Sequence, residues 1–146
     1  LLIADEPTTG LDVTTQAVIM DLIAELAHET GTATIFITHD LTLAAEYCDR
    51  IVVMHAGHIV ESAPSATLFN AARHPYSARL LAATPGESSA LVSLASIPGS
   101  RPDLRRADLP SCRYSERCER RLDTCAGPLP RTALAEAHVV ACWNPL

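Results

Sequence analysis

LLIADEPTTGLD, residues 1–12, is the stretch that decides the fold, and IFITHDL, residues 35–41, is its counterpart further along the chain. The four apolar residues that open the first stretch predict the end of a buried strand, which delivers Asp5 and Glu6 to its carboxyl end. Open α/β sheets bind ligands at that edge. A neighbouring pair of carboxylates suits phosphate chemistry, because Mg²⁺ takes one or two carboxylates and the second can orient an attacking water. Taken alone, the pair is also typical of an ordinary exposed acidic turn.

Strand and helix patterns alternate along the residues that follow this stretch. The predicted elements are a helix over 13–29, a strand over 33–38, a helix over 41–48, a hairpin formed by 50–54 and 58–61, and short helices over 64–69 and 75–83. Asp12 is the candidate N-cap of the first helix, and Gly31 is its candidate C-terminal stop. This order predicts an α/β fold with a mainly parallel sheet, and the hairpin is expected at the edge of that sheet.

The composition changes at Pro85. Seven of the 10 prolines and four of the five cysteines lie from this residue onward. We therefore predict two regions, residues 1–84 and residues 85–146, of which the second is loop-rich and has too little apolar pattern to bury a core unaided. A covalent or metallic link is expected to hold it together.

The charges exclude several classes of function. All 11 basic residues are arginine, so a function that needs a lysine within these residues is excluded. Residues 1–100 carry a net charge of −8, and residues 101–146 carry +2. An acidic body and a basic tail without interleaved aromatic residues predict that nucleic acid is not a partner.

The apolar runs are short, and the chain opens on apolar residues. None of these runs approaches the roughly 18 residues of a membrane-spanning helix, and no secretory signal opens the chain. We therefore expect a chain that neither spans the membrane nor is exported. The apolar start without a methionine suggests a fragment cut inside a strand.

Together, the two motif stretches resemble the second half of the nucleotide-binding domain of ABC transporters, a P-loop NTPase fold. In that family the strand with its Asp is the Walker B motif, the next Glu is the catalytic carboxylate, and the later segments are the D-loop and the switch histidine loop. The resemblance implies that Asp5 holds Mg²⁺ through water, that Glu6 polarises the hydrolytic water and that His39 hydrogen-bonds the γ-phosphate of ATP. It also implies that Asp12 lies at a dimer interface and couples two ATP sites.

Other motifs of the same family are missing from these residues. No glycine-rich phosphate loop with its lysine, no glutamine loop and no Ser-Gly-Gly signature precedes the Walker B stretch. We therefore expect that this fragment neither binds nor hydrolyses ATP on its own.

Four cysteines in the tail have the spacing C-x5-C-x6-C-x16-C, at Cys112, Cys118, Cys125 and Cys142. Four thiolates can hold an iron–sulfur cluster or Zn²⁺, although structural zinc sites usually show shorter gaps. Two disulfides, or four unrelated thiols, are the alternatives, and the spacing alone does not decide among them.

The sequence around these cysteines resembles one particular group within the ABC transporter family. HPYSARLLAATP (residues 74–85), SIPGSRPDL (96–104) and LPSCRYSERC (109–118) are similar to the C-terminal extension of oligopeptide/dipeptide importer ATPases. In some members of that group four cysteines ligate a 4Fe–4S cluster, so the resemblance implies this role for the four tail cysteines, with Zn²⁺ as the alternative. Four arginines close in sequence are expected to offset the cluster's negative charge: Arg113, Arg117, Arg120 and Arg121.

The resemblance implies an ATP-hydrolysing subunit of a peptide importer, peripheral on the cytoplasmic face of the membrane. Its expected partners are a second ATPase subunit, identical or paralogous, the transmembrane permease subunits and, indirectly, a substrate-binding protein. Related systems import dipeptides, longer peptides, nickel or glutathione, and no residue here selects among them. The alternatives are a non-catalytic metal- or iron–sulfur-binding interaction module and a soluble, non-transport ATPase of the same superfamily.

Overall fold

The computed structural model describes residues 1–84, 96–135 and 137–146, which form two compact units, Leu1–Cys48 and Asp49–Leu146. The boundary predicted at Pro85 falls outside the described residues, as does the end of the HPY-containing motif, so that boundary stays a prediction. Within the described ranges, no helix combines the length and apolar character needed to cross a membrane.

The first unit contains two strands and two helices in alternation. These are β1 (Leu2–Asp5), α1 (Val13–Thr30), β2 (Thr34–Ile37) and α2 (Leu41–Tyr47). The strands are parallel, and their register pairs Leu2 with Thr34 and Asp5 with Ile37. Because parallel strands end at the same edge, the residues that follow Asp5 and Ile37 lie side by side. The Glu6 N–H donates to the Ile37 carbonyl at 2.9 Å and extends this pairing by one step.

Both helices of the first unit begin at aspartate caps. The Asp12 carboxylate accepts the Thr15 N–H at 3.0 Å at the start of α1, which ends at Gly31 with a left-handed φ of 61°. The Asp40 carboxylate accepts the Thr42 N–H at 2.8 Å at the start of α2. These contacts satisfy amides that have no partner within a helix, and the predicted cap and stop of α1 are confirmed.

The second unit is built on an antiparallel sheet. Its elements are β3 (Arg50–His55), β4 (His58–Pro64), α3 (Ser65–Ala71), α4 (Pro75–Ala82), β5 (Thr132–Ala135) and β6 (His138–Val140), with short 3₁₀ turns at Ser115–Arg117 and Asp123–Ala126. The strand order is β3-β4-β6-β5. The predicted hairpin is confirmed as β3 and β4, which turn through Ala56 and Gly57, both at positive φ.

The prediction of a mainly parallel sheet is not confirmed. In the described part of the chain only β1 and β2 are parallel, and the hairpin belongs to a separate four-stranded sheet. The tail supplies two strands to that sheet, since Glu61 and Ser62 of β4 pair with Val140 and Val139 of β6. These tail strands have only three or four residues, too few for an apolar alternation to be recognised in the sequence.

Glu61, on β4, is a fully buried carboxylate that links three segments of the second unit. It accepts the Arg73 and His74 amides at 2.7 and 3.0 Å, and its Oε1 lies 2.8 Å from His138 Nε2 on β6. Burial raises the pKa of the Glu61 carboxyl, but its polar neighbours, first Ser77 and then the two amides and His138, hold that pKa below its ordinary value. The charged form therefore joins β4, the start of α4 and β6.

Candidate functional site

The carboxyl ends of β1 and β2 bring Glu6 and His39 together, although 33 positions separate them in sequence. Glu6 directly follows β1, and His39 lies two residues beyond β2. The His39 Nδ1 lies 2.9 Å from Glu6 Oε1. The register of the two parallel strands sets this distance, so the pair results from the sheet rather than from the motifs taken separately.

The Glu6 backbone adopts an uncommon conformation. Its φ is 45°, in the left-handed region that residues other than glycine adopt at a cost, and such positions cluster at functional sites. The side chain also accepts the Thr9 hydroxyl at 3.0 Å. The hydrogen bond with His39, and then that with Thr9, lower the pKa of the Glu6 carboxyl. This exposed carboxylate is therefore charged at neutral pH and is held at two oxygens.

A polar cavity surrounds the pair. Its lining includes Glu6, His39, Thr8, Thr9, Gln16 and Thr38. The Gln16 amide donates to the Thr8 carbonyl at 3.3 Å, which ties the start of α1 to the turn after Glu6. A charged carboxylate, an imidazole and several hydroxyls around one cavity can orient a water molecule and donate hydrogen bonds to an anionic oxygen. The sequence alone did not predict that these threonines and Gln16 belong to the site. Their positions within or next to the two motif stretches could have indicated it.

Asp5 and Asp12 lie elsewhere on the first unit. Asp5 ends β1 with an exposed side chain, and it is not among the described residues that line the cavity. A single exposed carboxylate at this edge fits Mg²⁺, which takes its other ligands from water and phosphate. Asp12 caps α1 through the Thr15 N–H and hydroxyl, and these two contacts lower the pKa of its carboxyl.

The four tail cysteines meet around one cavity of the second unit. Cys112, Cys118, Cys125 and Cys142 all line it, and all four are free thiols, so the disulfide alternative is not what the structure contains. Among the described residues, no group of three or more His, Cys, Asp or Glu side chains is placed to hold a metal ion. Neither the iron–sulfur cluster nor zinc is therefore confirmed.

Backbone amides approach the sulfur atoms of this cavity. The Leu122 N–H donates to Cys125 Sγ and the Asn144 N–H to Cys142 Sγ, each at 3.4 Å. Burial raises the pKa of the Cys142 thiol to about 11, and it raises the pKa of Cys112 and Cys118 as well, while nearby amides act in the opposite sense. Burial therefore opposes ionisation of these three thiols, whereas the neighbouring amide donors would favour thiolates.

The arginines near these cysteines bind carbonyl groups of distant segments. Arg117 donates to the carbonyls of Pro98 and Ile97 at 2.7 and 3.2 Å, and Arg113 donates to the Ala56 carbonyl in the hairpin turn. Arg120 donates to the Asn144 carbonyl at 3.3 Å, and of the four arginines it is the one that lines the cysteine cavity. The expected grouping of four arginines around the sulfur atoms is therefore seen for one of them.

Comparison with known families agrees with the motifs. Residues 60–125 match the family described as the C-terminal region of oligopeptide/dipeptide transporters. This match begins within β4, covers α3 and α4, and extends to Cys125. The resemblance to this transporter type that the HPY, IPG and cysteine segments indicate is confirmed.

Individual relatives match along the whole chain. A protein named probable peptide ABC transporter ATP-binding protein y4tR, from Sinorhizobium fredii, is 46% identical over 99% of this chain. The oligopeptide transport ATP-binding proteins OppD of Salmonella typhimurium and Escherichia coli are 44% and 42% identical over 100% of it. The chain spans 43% of the length of each of these relatives.

Proposed function

We propose that these residues form the C-terminal part of an ATP-binding subunit of a peptide importer, and that the subunit couples ATP hydrolysis to transport. The observation that carries this proposal is the contact of 2.9 Å between Glu6 and His39 at the carboxyl edge of a parallel strand pair. The relatives support it, because they are named as ATP-binding proteins of peptide or oligopeptide transport.

Each residue of the site has a separate task in this proposal. Glu6, charged and held by two hydrogen bonds, orients the attacking water, while His39 donates to the γ-phosphate. Asp5 holds Mg²⁺ through water, and the ion supplies charge neutralisation for the phosphates when bound. Asp12 keeps the turn between Glu6 and α1 in place and lies at the interface between two ATPase domains.

The remaining parts of the machinery lie outside these residues. The chain has no lysine, so the lysine of a phosphate-binding loop must come from another part of the subunit. We propose a dimer with an identical or paralogous ATPase subunit, attachment to permease subunits at the cytoplasmic face of the membrane, and indirect contact with a substrate-binding protein. Residues 1–84 are proposed as ATPase domain and residues 85–146 as the transporter-type extension.

The test is ATP turnover by the full-length subunit that carries these residues. Glu6→Gln keeps the side-chain size but removes the carboxylate, so hydrolysis is expected to fall at least about 100-fold while ATP stays bound. Glu25→Gln on the exposed side of α1 is the matched control and should turn over normally. Full turnover by the Glu6→Gln subunit would overturn the role of Glu6.

We further propose that the cysteine cavity takes an iron–sulfur cluster, ligated by Cys112, Cys118, Cys125 and Cys142. The observation that supports this site is that the four thiols line one cavity of the second unit. Amide donors next to the sulfur atoms would favour thiolates. The cluster would supply a cross-link between segments that are up to 30 positions apart in sequence.

Anaerobic purification with iron, sulfide and zinc analysis tests this second proposal. About four iron and four sulfide per chain, with a visible charge-transfer band that is lost in Cys118→Ser, is the expected result. Cys48→Ser, outside the cavity, should retain the band. Stoichiometric zinc, or no metal at all, would overturn the cluster and leave the ATPase proposal untouched.

A further inference from the structure

His74 lies in the wall of the cysteine cavity, and the ATPase machinery does not use it. Its side chain is 1% exposed, and it lines the cavity together with the four cysteines. Its backbone N–H is bound by the Glu61 carboxylate at 3.0 Å, which fixes the residue at the start of α4. The position of the ring is therefore set by the second unit and not by a ligand.

The hydrogen bonds of His74 determine which ring nitrogen carries the proton. The Tyr76 N–H donates to His74 Nδ1 at 3.0 Å, in an N-cap contact at the first turn of α4. Because Nδ1 is the acceptor, the neutral ring carries its hydrogen on Nε2. That Nε2 is buried and has no hydrogen-bond partner among residues 1–84, 96–135 and 137–146.

A buried donor without a partner is costly unless something absent from the structure accepts its hydrogen. Four cysteines line the same cavity as His74, so a cluster bound there would bring sulfur acceptors into the cavity that this ring lines. Backbone N–H groups already donate to the sulfur atoms of Cys125 and Cys142, two of the four cysteines that line this cavity. His74 Nε2–H is a side-chain donor of the same kind.

We propose that the Nε2–H of His74 donates a hydrogen bond to a sulfur of the cluster held by the four cysteines, and thereby raises its reduction potential. This inference rests on the proposed cluster. A hydrogen bond to a cluster sulfur stabilises the reduced form more strongly, because that form carries one more negative charge. The HPY motif would then serve the cluster as well as the start of α4.

Two substitutions separate the functions of the two ring nitrogens. His74→Asn keeps a short acceptor for the Tyr76 N–H, as asparagine is a good N-cap, but it places no donor where Nε2 lies. His74→Gln places an amide N–H near the Nε2 position and weakens the cap. We expect the Asn variant to shift the midpoint potential of the cluster to lower values at parental iron and sulfide content. The Gln variant should keep the parental potential with a lower thermal midpoint.

His55→Asn is the matched control. His55 is also buried, and its ring lies 4.5 Å from that of Tyr76. Within the part of the chain that the structure describes, its Nδ1 also has no partner, and it does not line the cysteine cavity. Removal of this ring should leave the midpoint potential unchanged.

The measurement is a redox titration of the intact protein loaded with iron and sulfide, followed by the EPR signal of the reduced cluster. An unchanged potential in His74→Asn, or an equal shift in His55→Asn, would overturn the role of His74 while the cluster stands. A lowered potential in His74→Gln would contradict the assignment to Nε2, even if the Asn variant failed to fold. A parent protein without iron and sulfide would overturn the cluster and this inference together.

Discussion

Leu1–Cys48 and Asp49–Leu146 both combine helices with strands, but they use their apolar residues differently. In this chain, which spans 43% of the length of the relatives compared above, the strand residues Ile3 and Ile35 of the first unit are 61% and 49% exposed. In the second, Leu68 and Val140 are fully buried, and Glu61 is buried with them. The first unit therefore carries its candidate chemistry on the turns that follow two strand ends, 33 positions apart, whereas contacts among buried side chains stabilise the second. Substitutions in the first should change turnover, and those in the second should change stability.

The largest effect is expected at His39, in the first unit. His39→Ala removes the group proposed to donate to the γ-phosphate, so ATP turnover by the full-length subunit should fall by about 100-fold or more. The side chain is 79% exposed, so the thermal midpoint should stay within error of the parent. His28→Ala on α1 is the control for loss of an exposed histidine. A large drop in the thermal midpoint with normal turnover would contradict the expectation that substitutions in the first unit change turnover and not stability.

The same leucine substitution in each unit should give different stability losses. Leu68→Ala on α3 removes a fully buried side chain and should cost about 2–5 kcal/mol of unfolding free energy. Leu26→Ala on α1, where the residue is 49% exposed, should cost less than about 1 kcal/mol. Chemical denaturation measures both, and equal losses would show that the two units are held together in the same way.

Glu61 should make the second unit sensitive to acid. Its pKa is lowered in the fold, so its contribution to stability is fully present above the ordinary carboxyl pKa and is lost as pH falls through the lowered value. Glu61→Gln should cost about 2 kcal/mol at neutral pH, because a buried charge-assisted network loses its acceptor, and less at low pH. Unfolding measured from neutral to acid pH tests this. A loss that does not depend on pH would contradict the charged state of Glu61.

The smallest expected effect is a difference in stability between alanine substitutions at two glycines that both have a left-handed backbone. Gly99 has a φ of 75°, and a Cβ there would lie 3.3 Å from Arg117 Cγ, whereas Gly10 has a φ of 81° and open space around it. Both alanine substitutions should cost about 1–2 kcal/mol for the backbone, and Gly99→Ala should cost more because Arg117 must also move. Equal losses in thermal unfolding would show that the close approach of Arg117 to Gly99 adds nothing to the cost.

The helices and strands of the first unit could be predicted from the sequence, because the residues that mark their ends are close together in the chain. The Asp12 cap, the Gly31 stop and the two strand ends lie within short stretches of chain, and the structure places them as those patterns predict. The contact between Glu6 and His39 needed one further fact, the parallel register, which the alternation of strand and helix indicates.

Much of the second unit could not be predicted from the sequence, because its structure depends on contacts between residues that are far apart in the chain. Pairing between β4 and β6 and the contact of Glu61 with His138 join residues 77 to 79 positions apart. His74 directly precedes the helix predicted over 75–83, and only the structure shows that it lines the same cavity as the four cysteines. The cysteine spacing matched no general metal-site template, so the sequence left several alternatives open.

A double-substitution cycle on Glu6 and His39, read out as ATP turnover by the full-length subunit, tests the central claim most directly. If the two residues act as one unit on the hydrolytic water and the γ-phosphate, as their contact of 2.9 Å implies, the double variant should be about as slow as the slower single variant. Losses that multiply independently would contradict the account, because they would mean that the contact between the two side chains plays no part in hydrolysis.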